Sequence, residues 1–194
     1  MDDLPPLVQQ AYAAARRVGF PLTHEESDGS GCACLPDTGR FLAMLAADRT
    51  RIGELGTGTG VGTAWMASAM PPGCTLVTAE RDERRAAAAR EVFADDPRVT
   101  VVTGDSFATI ALGGPYDLLF SDGGGGQDEL VGLLTIGGRV VMDDVTPWQL
   151  LPDDSPFKRA DDPKRRFFAD PRLVSTEVVL PDLRNALLVG TRAA

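Results

Sequence analysis

The segment that most constrains this chain is Arg51-Ile52-Gly53-Glu54-Leu55-Gly56-Thr57-Gly58-Thr59-Gly60-Val61-Gly62-Thr63. A short apolar strand, an acidic residue and alternating glycines stand directly before the helical stretch Ala64–Ala69. Glycine permits sharp turns at positive φ and removes side chains, so a ligand can lie against backbone at a helix N-terminus. The order strand, glycine loop, helix is that of a nucleotide-type cofactor loop or of a bare tight turn. A dinucleotide fingerprint needs G-x-G-x-x-G, and the spacing fails: counting from Gly56 and Gly58 puts Val61 at the third glycine, and counting from Gly58 and Gly60 puts Thr63 there. NAD is therefore disfavoured.

The rest of the chain alternates in the same manner. Leu7–Val18 reads as an amphipathic helix stopped by Gly19 and Pro21, Thr23–Cys34 as a polar loop, and Asp37–Ala47 as a second helix. Strands are expected at Arg51–Leu55, Thr75–Ala79, Val99–Val102, Tyr116–Ser121 and Arg139–Met142. Helices are expected near Gly62–Met70, Glu83–Ala94 (charged, alanine-rich and solvent-facing), Phe107–Leu112 and Glu129–Leu134. Near-continuous apolar strands alternating with helices imply an α/β, doubly wound, mostly parallel sheet. Val174–Leu180 and Ala186–Thr191, joined by a short polar connection, break the pattern and predict an antiparallel C-terminal edge hairpin, for seven strands in all.

With 194 residues and 43% hydrophobic content, the expectation is one domain over 1–194, with a helical and loop extension at 1–35. A net charge of −9 disfavours nucleic acid and anionic membranes as partners and favours a small-molecule substrate. No apolar run approaches a membrane span, and the start Met1-Asp2-Asp3 lacks a basic n-region, so the expected location is cytoplasmic. Cys32, Cys34 and Cys74 are odd in number and predict no disulfide framework. His24 with Cys32 and Cys34 lacks a fourth ligand and the usual spacing for zinc.

The strand ends carry acids. Glu80 closes the second strand, where a carboxylate can accept both hydroxyls of a ribose, the logic that puts an acid about 20 residues on in dinucleotide folds. Arg81 follows it. Gly104-Asp105-Ser106 closes the third strand, Asp122 the fourth and Asp143-Asp144 the fifth. Ligands sit beyond the carboxyl ends of such strands, so Asp122, Asp143 and Asp144 are expected to converge. Clustered carboxylates repel unless protons or a cation neutralise them, and all-oxygen ligation suits a hard ion such as Mg²⁺ or Ca²⁺.

Glu54-x-Gly56-x-Gly58-x-Gly60 resembles motif I of the class I S-adenosylmethionine (SAM) methyltransferases. The acids after the fourth and fifth strands are similar to those of the catechol and caffeoyl-CoA O-methyltransferase-like family, over roughly Pro36 to the C-terminus. The resemblance implies a Rossmann-like fold and a SAM-dependent transferase acting on oxygen of a small molecule. Glu54, Gly56, Thr57, Gly58, Gly60 and Thr63 would form the loop at the methionine end, with Glu80 at the ribose, Arg81 next to it in the cofactor site, Asp105 and Ser106 at the adenine and Asp122 beside the cofactor. Asp122, Asp143 and Asp144 would bind a divalent cation, with Asp122 the catalytic carboxylate; the family's pair is Asp-Asn, and Asp144 replaces the Asn. The family commonly has a Lys three residues after the first metal Asp, where this chain has Gly125. Two other readings therefore stay open: a metal-independent methyltransferase on another acceptor, and a non-catalytic SAM-binding protein. A homodimer also stays open. His24 and Lys158 lie in segments able to fold over the carboxyl edge, and 147–170 is expected to form a substrate-side lid with Trp148 and Phe157 as walls.

Overall fold

A computed structural model of the chain describes residues 4–29, 31–122, 127–155, 158, 163–181 and 185–193. Its centre is a seven-stranded sheet: β1 (Arg51–Leu55), β2 (Thr75–Glu80), β3 (Val99–Thr103), β4 (Tyr116–Ser121), β5 (Leu134–Val145), β6 (Leu173–Val179) and β7 (Ala186–Arg192). The order is β3-β2-β1-β4-β5-β7-β6. The first five strands are parallel, while β7 runs antiparallel to both β5 and β6, so the edge hairpin is as expected. Helices α1 (Pro6–Val18), α2 (Pro36–Ala46), α3 (Val61–Ala69), α4 (Glu83–Val92), α5 (Ser106–Ala111), α6 (Gln127–Gly132) and α7 (Pro163–Ala169) cover the sheet.

Period-two alternation sends neighbouring side chains into two separate cores. Leu118 and Phe120 of β4, Val141 of β5 and Leu187 of β7 join one core with Val8, Leu42, Trp65 and Met66 from α1, α2 and α3. Tyr116, Leu119, Val140 and Leu188 join the other with Ile110, Leu130 and Phe167 from α5, α6 and α7. Both faces are thereby buried, as the unbroken apolar runs of the strands require.

Two features depart from the sequence reading. Strand β5 begins at Leu134 rather than Arg139, and the helix before it ends at Gly132, because Leu134 pairs with Tyr116 before the register shifts. Helix α4 is solvent-facing only on its charged side: Ala86, Ala88 and Ala89 are buried, and α4 packs against α1. Within the expected extension over 1–35, α1 packs on α3 and α4. Its helix stops at Gly19, whose φ of 73° lets its N–H reach back to the last turn. No helix among the described residues is long and apolar enough to cross a membrane.

Candidate functional site

Strand order reverses between β1 and β4, and a cleft of about 360 Å³ opens there beyond the carboxyl ends of the strands. The loop from β1 to α3 forms its floor. Gly56 and Gly60 have φ of 92° and 89°, a region side chains rarely adopt. At Gly56 the demand is absolute, because a Cβ would lie 2.0 Å from the backbone oxygen of Asp122. The loop is thus pressed against the end of β4, where Asp122 N–H donates to Leu55 O at 2.8 Å.

Two acids anchor the loop. Glu54 is 1% exposed and accepts from the Thr63 hydroxyl. Burial pushes its carboxyl up to about 7, with Glu80 adding to the shift and hydrogen bonds from Thr63 and Thr78 opposing it. Glu80 accepts at Oε2 from Gly58 N–H (2.9 Å) and at Oε1 from Asp82 N–H (2.8 Å) and Arg85 Nη2 (2.9 Å). Thr57 and Thr78 share a hydroxyl hydrogen bond of 2.6 Å. By contrast, Thr59 Oγ1 is buried in the cleft wall with no partner among the described residues, an acceptor and donor left for a ligand.

Glu54, Gly56, Thr57, Gly58, Glu80, Arg81, Ser106, Asp122 and Asp144 all border the cleft. Gly60 and Thr63 do not, serving the loop from behind. Asp105 does not either. It caps α5 by accepting from Ala108 N–H at 2.9 Å and lies 3.8 Å from Arg81 in an exposed pair. Phe20, Cys32, Ala33, Cys34, Thr59 and Arg85 are lining residues that the sequence reading missed. Arg85 carried a faint signal, a cation in the first turn after a strand-end acid. Phe20 carried none, since α1 alone delivers it.

A second, small cavity adjoins the first and is bordered by His24, Cys32, Thr38, Asp122, Asp143, Asp144 and Asn185, among others. The pair Asp143-Asp144 is aimed there by a break in the β5–β7 register between Met142 and Val145, with Asp144 at φ 60°. Asp144 N–H donates to Asp143 Oδ1 at 2.8 Å. Burial first, then repulsion from Asp143 and Asp144, drives Asp122 well above the usual carboxylate range. Asp143 is raised to about 6 by burial, with Asp144 adding and its own donors, His24 and Thr38 opposing. The oxygens suit a hard cation in kind and in charge. Among the described residues, however, no group of three His, Cys, Asp or Glu stands in a metal-holding arrangement.

His24 does fold over the carboxyl edge, its Nε2 3.1 Å from Asn185 Nδ2 and its Nδ1 3.6 Å from Cys32 Sγ. The cysteines are free. Lys158 pairs with Asp153 at 3.0 Å and sits 5.9 Å from the Trp148 ring. None of the described residues of 147–170 borders the cleft. Phe157, a proposed wall, and Gly125, at the family's lysine position, lie outside the described residues.

A glycine loop at the switch point of a doubly wound sheet defines the Rossmann-like cofactor-binding class. Within it, residues 54–145 match the family model described as a methyltransferase domain. A catechol O-methyltransferase from Niastella koreensis is 34% identical over 97 residues, 45% of this chain and 44% of that protein. One from Mycobacterium tuberculosis is 38% identical over 92 residues, 43% of this chain and 41% of that protein. The matched stretch therefore spans less than half the length of these curated relatives. The O-methyltransferase TomG of Streptomyces achromogenes, involved in tomaymycin synthesis and solved with SAM, superposes with a TM-score of 0.77 at 21% identity, covering 99% of this chain and 92% of that one. The resemblance to class I SAM methyltransferases of the catechol O-methyltransferase type is borne out by these matches, and the fold is theirs.

Proposed function

We propose that this chain is a SAM-dependent methyltransferase acting on an oxygen of a small molecule, with Asp122, Asp143 and Asp144 as the holders of a divalent cation. One observation carries the cofactor assignment. The cleft over the glycine loop sets four carboxylates, Glu54, Glu80, Asp122 and Asp144, against two guanidiniums, Arg81 and Arg85. Such a wall complements a sulfonium and an ammonium group and repels a pyrophosphate. The spare Thr59 hydroxyl and the side-chain-free backbone at Gly56 and Gly58 fit a ligand laid against the loop.

In this reading the loop amides and Thr59 take the methionine end, Glu80 the sugar, and Ser106 with Arg81 the adenine side. Asp122 borders both cavities, so it orients the acceptor hydroxyl toward the methyl carbon. The acceptor oxygen forms the new C–O bond as the S–CH₃ pair returns to sulfur, and the hydroxyl proton leaves to a nearby base or to solvent. Catalysis then comes mainly from alignment and from excluding water. A bound cation would lower the pKa of the acceptor hydroxyl.

S-adenosylhomocysteine (SAH) should raise the melting temperature, because a ligand that binds only the folded state stabilises it by mass action, and NAD should not. Gly58→Val should abolish that shift. Calorimetric titration of Mg²⁺ with SAH present should show binding in wild type and in Asp144→Asn, and none in Asp143→Ala. If wild type binds SAH yet no divalent ion at millimolar concentration, the metal-independent reading replaces the metal-assisted one.

A further inference from the structure

The far end of the cleft, beyond β2, holds a cluster that the strand-end acids do not account for. Arg85 Nη2 donates to Glu80 Oε1 at 2.9 Å, and the guanidinium carbon lies 5.3 Å from the centroid of the Phe20 ring. Arg85 Nε is buried and has no partner among the described residues. Phe20 in turn approaches the loop: a Cβ on Gly58 would stand 3.3 Å from its ring. Three segments thus gather around one carboxylate: the loop through Gly58 N–H, the start of α4 through Asp82 N–H and Arg85, and, behind the Arg85 guanidinium, the chain after α1 through Phe20.

We infer that Arg85, steadied by Phe20, is a positioning residue that acts on the cofactor through Glu80. A carboxylate offers about four acceptor positions, and three are already taken, so Glu80 stands fixed with one free for a ligand hydroxyl. Accepting both ribose hydroxyls, as the sequence suggested, would require one of these donors to give way. A pre-fixed acceptor spares the ligand the ordering cost of an otherwise mobile side chain. Of the three donors, two are backbone groups set by the loop and helix; Arg85 is the one that substitution can remove without altering backbone. The inference rests on Glu80 serving the cofactor's sugar.

The test is a double-mutant cycle read by calorimetric titration of SAH. Arg85→Ala should weaken SAH by about tenfold, the loss expected for one hydrogen bond to a charged group. Arg85→Lys should recover part of it, and Phe20→Leu should cost less than Arg85→Ala. In a Glu80→Gln background, Arg85→Ala should change the affinity less than about twofold, because its route to the ligand has gone. Wild-type affinity in Arg85→Ala, or losses that simply multiply in the double variant, would overturn the inference while leaving the cofactor assignment intact. If wild type binds no SAH, the assignment and the inference fall together.

Discussion

The two halves of the carboxyl edge hold buried acids in different settings. Beyond β1 and β2, Glu54 and Glu80 are buried acids held by donors: the Thr63 hydroxyl on one, two backbone N–H groups and Arg85 on the other. Beyond β4 and β5, Asp122 is raised by burial and by repulsion from Asp143 and Asp144, and Asp143 by burial and the Asp144 charge against its hydrogen bonds from Asp144 N–H and Thr38. Among the described residues none donates a hydrogen bond to the Asp122 carboxylate. In the first half the donors already hold these two acids in place before any ligand arrives. The second is left short of positive charge, and a cation or a proton completes it.

The largest effect should come from breaking the join between the halves. Gly56→Ala puts a Cβ 2.0 Å from the Asp122 backbone oxygen at φ +92°, where neither partner can yield. A loss of about 3 kcal/mol or more is expected in chemical denaturation, from overpacking and backbone strain together. Gly58→Ala, at φ +54° and facing only the Phe20 ring, should cost about 1 kcal/mol. Similar losses for the two would mean that the loop is not pinned to β4.

Neutralising one acid in each half sharpens the contrast. Glu80→Gln leaves backbone donors and a guanidinium facing a neutral amide and should destabilise the ligand-free protein by about 1.5–3 kcal/mol. Asp122→Asn replaces an acid that burial and neighbouring acids keep from ionising freely and should stabilise the protein by about 1 kcal/mol in metal-free buffer. Equal signs in urea melts at neutral pH would sink the distinction.

A pH slope tests the Glu54 half on its own. Glu54 titrates at about 7 in the fold against 4.5 when unfolded, so the folded state holds its proton longer. That stability is full below pH 4.5 and is lost as pH rises through 7, and the apo melting temperature should fall across this window. Asp143 and Asp122 add to the same fall, so Glu54→Gln should reduce the slope; an unchanged profile would take Glu54 out of it.

Much of the frame was legible locally. The apolar run Tyr116–Ser121 announced a buried strand, and Leu118 and Leu119 belong to different cores because side chains alternate along it. The missed lining residues share a different cause. Phe20 follows a helix C-cap and reaches the loop only through the docking of α1, and β5 extends back to Leu134 only because Tyr116 is there to pair with it. Asp105 looked like a ligand and serves as a helix cap, since the same side-chain oxygen suits either task.

By itself the sequence determined the alternation of elements, the glycine loop and the acids at the strand ends, because strand period, backbone freedom and charge are local properties. Tertiary structure decided which acids receive donors and which are left facing one another. Hydrogen-bond partners and desolvation come from segments distant in the chain, as Arg85 meets Phe20 and Asp122 meets Asp143.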